Sequence, residues 1–71
     1  MKYNNGYNKT NGTPGETVFV VTRDKRRTSE RNFTNENDAR NEADYWIRIC
    51  RQHDPRSKVS IVKTDKPKRI R

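Results

Sequence analysis

Lysine and arginine are the residues of this sequence best placed to do chemistry, and eleven of the 17 fall in three stretches. Lys25, Arg26 and Arg27 follow Asp24, with Arg23 before them and Arg31 after. Lys58 and Lys63 bracket a β-branched run, and Lys66, Lys68, Arg69 and Arg71 crowd the last residues. Each cation set against a phosphate releases condensed counterions, so a surface that gathers such groups binds polyanions whatever their sequence. The sign of charge is segregated along the chain. Residues 1–34 carry +4 (7 basic, 3 acidic), 35–54 carry −2 (3 basic, 5 acidic) and 55–71 carry +6 (7 basic, 1 acidic). The expected nucleic-acid-binding set is therefore Arg23, Lys25, Arg26, Arg27, Arg31, Lys58, Lys63, Lys66, Lys68, Arg69 and Arg71. Such charge also keeps a small domain soluble. At +8 on 71 residues, with the signs kept apart, nucleic-acid contact is the stronger expectation.

Other chemistries find little support. A single cysteine, Cys50, and a single histidine, His53, make neither an intramolecular disulfide nor a four-ligand zinc site. Cys50 reads as a small apolar filler and His53 as a partner for the last carbonyls of a helix. There is no glycine-rich phosphate loop, paired-histidine metal motif or nucleophile motif. The expectation is a protein that is not an enzyme, with no metal and no cofactor.

The composition bounds the architecture. A chain of 71 residues with 27% hydrophobic residues predicts one small domain with no room for a deep cleft beside its core. No run approaches the ~18 apolar residues of a membrane span, and the first residues lack the apolar stretch of a secretion signal. A cytoplasmic protein with no membrane partner is expected. Leucine is absent, so the core must come from Val, Ile, Phe, Trp and Ala.

The elements that would position the cations follow from periodicity. Residues 1–15, rich in Asn and Gly, predict a flexible arm. Its Tyr3 and Tyr7, beside Lys2 and Lys9, have the types that stack on bases. Thr17 to Asp24 is β-branched and aromatic and reads as a strand entering a turn; Thr28 to Phe33 reads as the second arm of a hairpin. Thr34 or Asn35 caps a helix whose Ala39, Ala43, Trp46, Ile47 and Cys50 form one stripe, with Ile49 at its edge. Arg40 with Asp44 and Asp44 with Arg48 are neighbours on the opposite side. Asp54-Pro55 ends the helix. Lys58 to Thr64 alternates as a third strand, and 66–71 is a basic tail. The expected fold is α+β: a ββαβ domain over 16–65, with a three-stranded antiparallel sheet of order 2-1-3 and one helix packed on one face. Either Val18/Val20 or Phe19/Val21 would then lie on an open sheet face, a platform on which bases could stack.

The run of Thr17 through Ala43, a hairpin followed by Phe33-Thr34, Asp38-Ala39 and Ala43, resembles the arm-type DNA-binding domains of phage integrases and the plant-type AP2 domains. That likeness implies a small sheet docked on DNA and backed by a helix, although here a third strand follows the helix. In size, charge and Asn/Lys usage the chain is also similar to the small accessory proteins of T-even-type bacteriophages, such as the Cef-like modifiers of suppressor tRNAs. This resemblance implies structured RNA of the tRNA kind ahead of DNA. The alternative reading is a protein-binding inhibitor or adaptor whose basic surface engages an acidic or nucleic-acid-binding site on a host protein.

Overall fold

The computed structural model describes residues 7–9 and 16–71. In chain order the elements are β1 (Tyr7–Lys9), β2 (Val18–Arg23), β3 (Arg26–Arg27), β4 (Arg31–Phe33), α1 (Glu36–His53), β5 (Val59–Thr64) and a 3-10 turn at Pro67–Arg69. Strand β2 is the centre of an antiparallel sheet. On one side it pairs with β3 and β4, the return arm of the hairpin, and on the other with β5 along its whole length, from Val18↔Thr64 to Arg23↔Val59. The order read from the sequence, second strand, first strand, third strand, is the order found, with one helix on one face.

Three features depart from the sequence reading. Within residues 1–15, expected to form a flexible arm, Tyr7–Lys9 is a strand that extends the sheet beyond β4, in register Tyr7↔Phe33. The rest of that arm, Tyr3 included, lies outside the described residues. The hairpin's second arm is split into β3 and β4, because residues 28–30 are drawn toward the helix. Finally, the sheet face expected to lie open is buried at β2 and β4 and exposed only along β5, at Ser60 and Val62.

Helix α1 forms where expected. The Asn35 side chain accepts from the Asn37 N–H at 2.7 Å, Glu36 and Asp38 sit in the first turn, and Asp54 caps the end before Pro55. Small buried residues, Ala39 and Ala43, let the helix approach the sheet closely, where Val21 and Phe33 complete the central cluster. Phe19, Trp46, Val59 and Ile61 pack around it. Cys50 is buried and unpaired, and His53 is exposed. Ile47, expected on the buried stripe, is 38% exposed. Arg40 pairs with Glu36 at 3.3 Å, one turn earlier than the Asp44 expected from spacing.

On the sheet face away from the helix, Val18, Val20, Thr22 and Asn32 are nevertheless buried, Val20 and Asn32 completely. The described segment that reaches this face is the tail. Its route is fixed by topology: β5 and β3 flank β2 on opposite sides, so a chain running from the end of β5 back to β3 must cross β2. The helix occupies one face, and the tail takes the other.

Candidate nucleic-acid interface

Arg27 holds the tail in place. Its position opposite Thr22 directs its side chain to the face that Asn32 shares. There Nε donates to the Ile70 carbonyl at 2.8 Å and Nη2 to the Pro67 carbonyl at 2.7 Å. Nη1 donates to the Ser29 carbonyl at 3.2 Å and to Asn32 Oδ1 at 2.9 Å. The backbone joins in, with the Arg27 N–H donating to the Arg71 carbonyl at 2.9 Å. The tail is shaped locally as well: Lys66 N–H donates to Thr64 Oγ1 at 2.9 Å, and Ile70 N–H to the Pro67 carbonyl at 3.1 Å. Burial lowers the Arg27 pKa, yet a guanidinium stays protonated at neutral pH. A cation whose donors meet neutral carbonyls in this way is structural, and Arg27, expected to face phosphate, is turned inward.

The hairpin tip is built differently. Asp24 and Lys25 take positive φ angles, 53° and 73°, the left-handed conformation of a two-residue turn whose twist matches the strands. Asp24 is tied to the start of β5: its N–H donates to the Lys58 carbonyl at 2.8 Å, and its carboxylate accepts from the Lys58 N–H at 3.0 Å. That second bond holds the Asp24 carboxyl below its ordinary pKa. The turn leaves Lys25 and Arg26 exposed, fastens Lys58 beside them, and lies next to Arg71 through the backbone bond at Arg27. Lys66, Lys68 and Arg69 are exposed along the tail that leads there. The hairpin tip is thus joined by backbone hydrogen bonds to Lys58 and to Arg71, while the tail that carries Lys66, Lys68 and Arg69 starts from the other end of β2, where Thr64 pairs with Val18.

The remaining predicted residues lie elsewhere. Arg23 faces the helix end, with Nη2 3.5 Å from Asp54 Oδ2 and Nε donating to Ser57 Oγ at 3.2 Å. Lys63 lies over the Phe19 ring, 6.0 Å from its centroid. Arg31 pairs with Glu42 at 3.3 Å.

Glu42 was not singled out by the sequence. Its side chain is only 10% exposed, and it accepts from Thr28 Oγ1 at 2.8 Å and Ser29 Oγ at 3.0 Å as well as from Arg31. This carboxylate pulls residues 28–30 toward the helix and divides β3 from β4. The available signal was its place one turn before Trp46, at the margin of the apolar stripe, where a charged group needs partners. Beside it runs an open groove of about 660 Å³ lined by Phe33, Tyr45 and Trp46 with Arg31, Asp38, Asn41, Glu42 and Ser29. Tyr45 is 55% exposed and meets Trp46 edge-on, with ring centroids 5.5 Å apart. Its two carboxylates, Asp38 and Glu42, outnumber its one arginine, so the groove is not part of the cationic face. Among the described residues no cluster of three metal-ligating side chains occurs, and no helix is long and apolar enough to cross a membrane.

Comparisons with protein-family models, with curated proteins and with solved structures return no match.

Proposed function

We propose that the protein is a small non-enzymatic nucleic-acid-binding accessory protein that follows phosphates with Lys25, Arg26, Lys58, Lys66, Lys68, Arg69 and Arg71. The observation that carries this reading is the return of the tail to the hairpin, which ties Lys58 and Arg71 to the turn that holds Lys25 and Arg26. Phosphate tracking is favoured over base stacking by the burial of Val18 and Val20, the would-be platform, beneath the tail side of the sheet. Structured RNA of the tRNA kind, the partner implied by the resemblance to phage accessory proteins, is the first ligand to measure, with duplex DNA second.

Affinity for tRNA, followed by fluorescence anisotropy, is expected to fall steeply with salt, with a logarithmic slope of about −0.7 to −0.9 per phosphate contacted. Affinity that stays flat from low to physiological salt would overturn the reading. Charge reversal of Lys25 and Arg26 together should weaken binding more than reversal of Arg40 and Arg48 on the helix. Equal losses would move the interface to the helix side. A partner protein recovered from lysate after nuclease treatment would assign the same surface to the adaptor role.

A further inference from the structure

We infer that Arg27 is a positioning residue for the cationic tail: its guanidinium locks the tail across the sheet so that Lys66, Lys68, Arg69 and Arg71 meet a polyanion already in place. This rests on the nucleic-acid reading above and adds to it how the tail's charges are presented.

The argument starts from the acceptors. One guanidinium bridges two parts of the chain, the sheet through the Ser29 carbonyl and Asn32 Oδ1, and the tail through the carbonyls of Pro67 and Ile70. The tail is therefore referenced to the hairpin by a single rigid group. Asn32, one of its anchors, is completely buried, so the sheet half of the bridge does not move with solvent-exposed chain. Arginine suits this task because its donors lie in a planar fork; a lysine ammonium keeps the charge as a compact point and cannot span the same acceptors. Ordering a loose tail on binding opposes association through the conformational entropy lost at each residue fixed. A tail docked in the free protein has lost that freedom during folding, and its charges act at once.

Charge and geometry can be separated because Arg27→Lys leaves the net charge at +8. In the full chain, Arg27→Lys and Arg27→Gln are expected to speed hydrogen exchange at the Ile70 amide and at the amide of position 27 by at least about tenfold, while Val20 and Val21 keep their protection. Arg27→Lys should also weaken tRNA binding by about tenfold and flatten its salt dependence, despite the unchanged charge. Lys68→Gln with Arg69→Gln should weaken binding while the tail amides stay protected. Pro67→Gly loosens the tail from its other end without touching Arg27, and should shift exchange and affinity in the same direction. Protected tail amides and full affinity in Arg27→Lys would overturn the inference. Freed amides with unchanged affinity and salt slope would overturn the positioning role and leave the nucleic-acid reading standing. Absence of tRNA and duplex binding by the unaltered protein would overturn that reading itself, and the positioning role with it.

Discussion

Arg27 and Arg31 flank the same short bulge and belong to the same basic stretch, yet they do different work. Arg31 is 55% exposed and faces a carboxylate, Glu42; Arg27 is half-buried and gives its protons to three backbone carbonyls and an amide oxygen. The contrast extends to the two sides of the sheet. The helix side sets three of its cations against carboxylates, Arg23 with Asp54, Arg31 with Glu42 and Arg40 with Glu36. The tail side sets one arginine against neutral oxygens and leaves its neighbours exposed. Residue type fixes that a group is cationic; the acceptors brought to it by the fold fix whether it builds the protein or meets a ligand.

The contrast can be broken most directly at Glu42. Glu42→Ala strips Thr28, Ser29 and Arg31 of a shared, nearly buried acceptor and is expected to cost about 2–3 kcal/mol in urea unfolding. A loss below about 1 kcal/mol would place this cluster with ordinary exposed ion pairs. At the hairpin tip, Lys25→Gly should raise stability by about 1 kcal/mol, since a side chain at φ 73° is held in the left-handed region. No gain would mean that the turn is not strained. Arg31→Ala removes only the exposed end of the Glu42 cluster and should change stability by less than about 1 kcal/mol; a larger loss would show that the pair is buried in effect. The smallest effect concerns acid. Asp24 has a folded pKa below its ordinary 3.8, so its stabilisation is complete above that value and is lost as pH falls through the lower, folded value. Asp24→Asn should therefore flatten the acid limb of the stability profile below about pH 4, and an unchanged limb would deny the bond to Lys58 any part in stability.

Local signals carried much of the fold. The β-branched run of β2, the Asn35 cap, the alanine spacing of α1, the break before Pro55 and the alternation of β5 are each written within a few neighbouring residues, and each element stands where those signals put it. What periodicity could not show were interactions between distant parts of the chain. Nothing near Arg27 announces that the Ile70 and Pro67 carbonyls, 43 and 40 residues later, will take its protons. The exposed Ile47 has a similar origin: it sits on the rim of a narrow stripe, and the small sheet is not wide enough to cover both it and Trp46. The cationic set was legible as a list of residue types. Its division into paired, internal and exposed groups needed the tertiary contacts.

The pairing of β2 bears on the order of assembly. Its hairpin partners follow at once in the chain, but its other flank waits for β5, as in the bond from Thr22 to Ser60 across 38 residues. Non-local ladders of this kind are slow to close, typically over about milliseconds to seconds. Until they do, a valine-rich edge has no shelter. Refolding yield should then depend on protein concentration, because a second chain can reach that bare edge before the molecule's own last strand arrives.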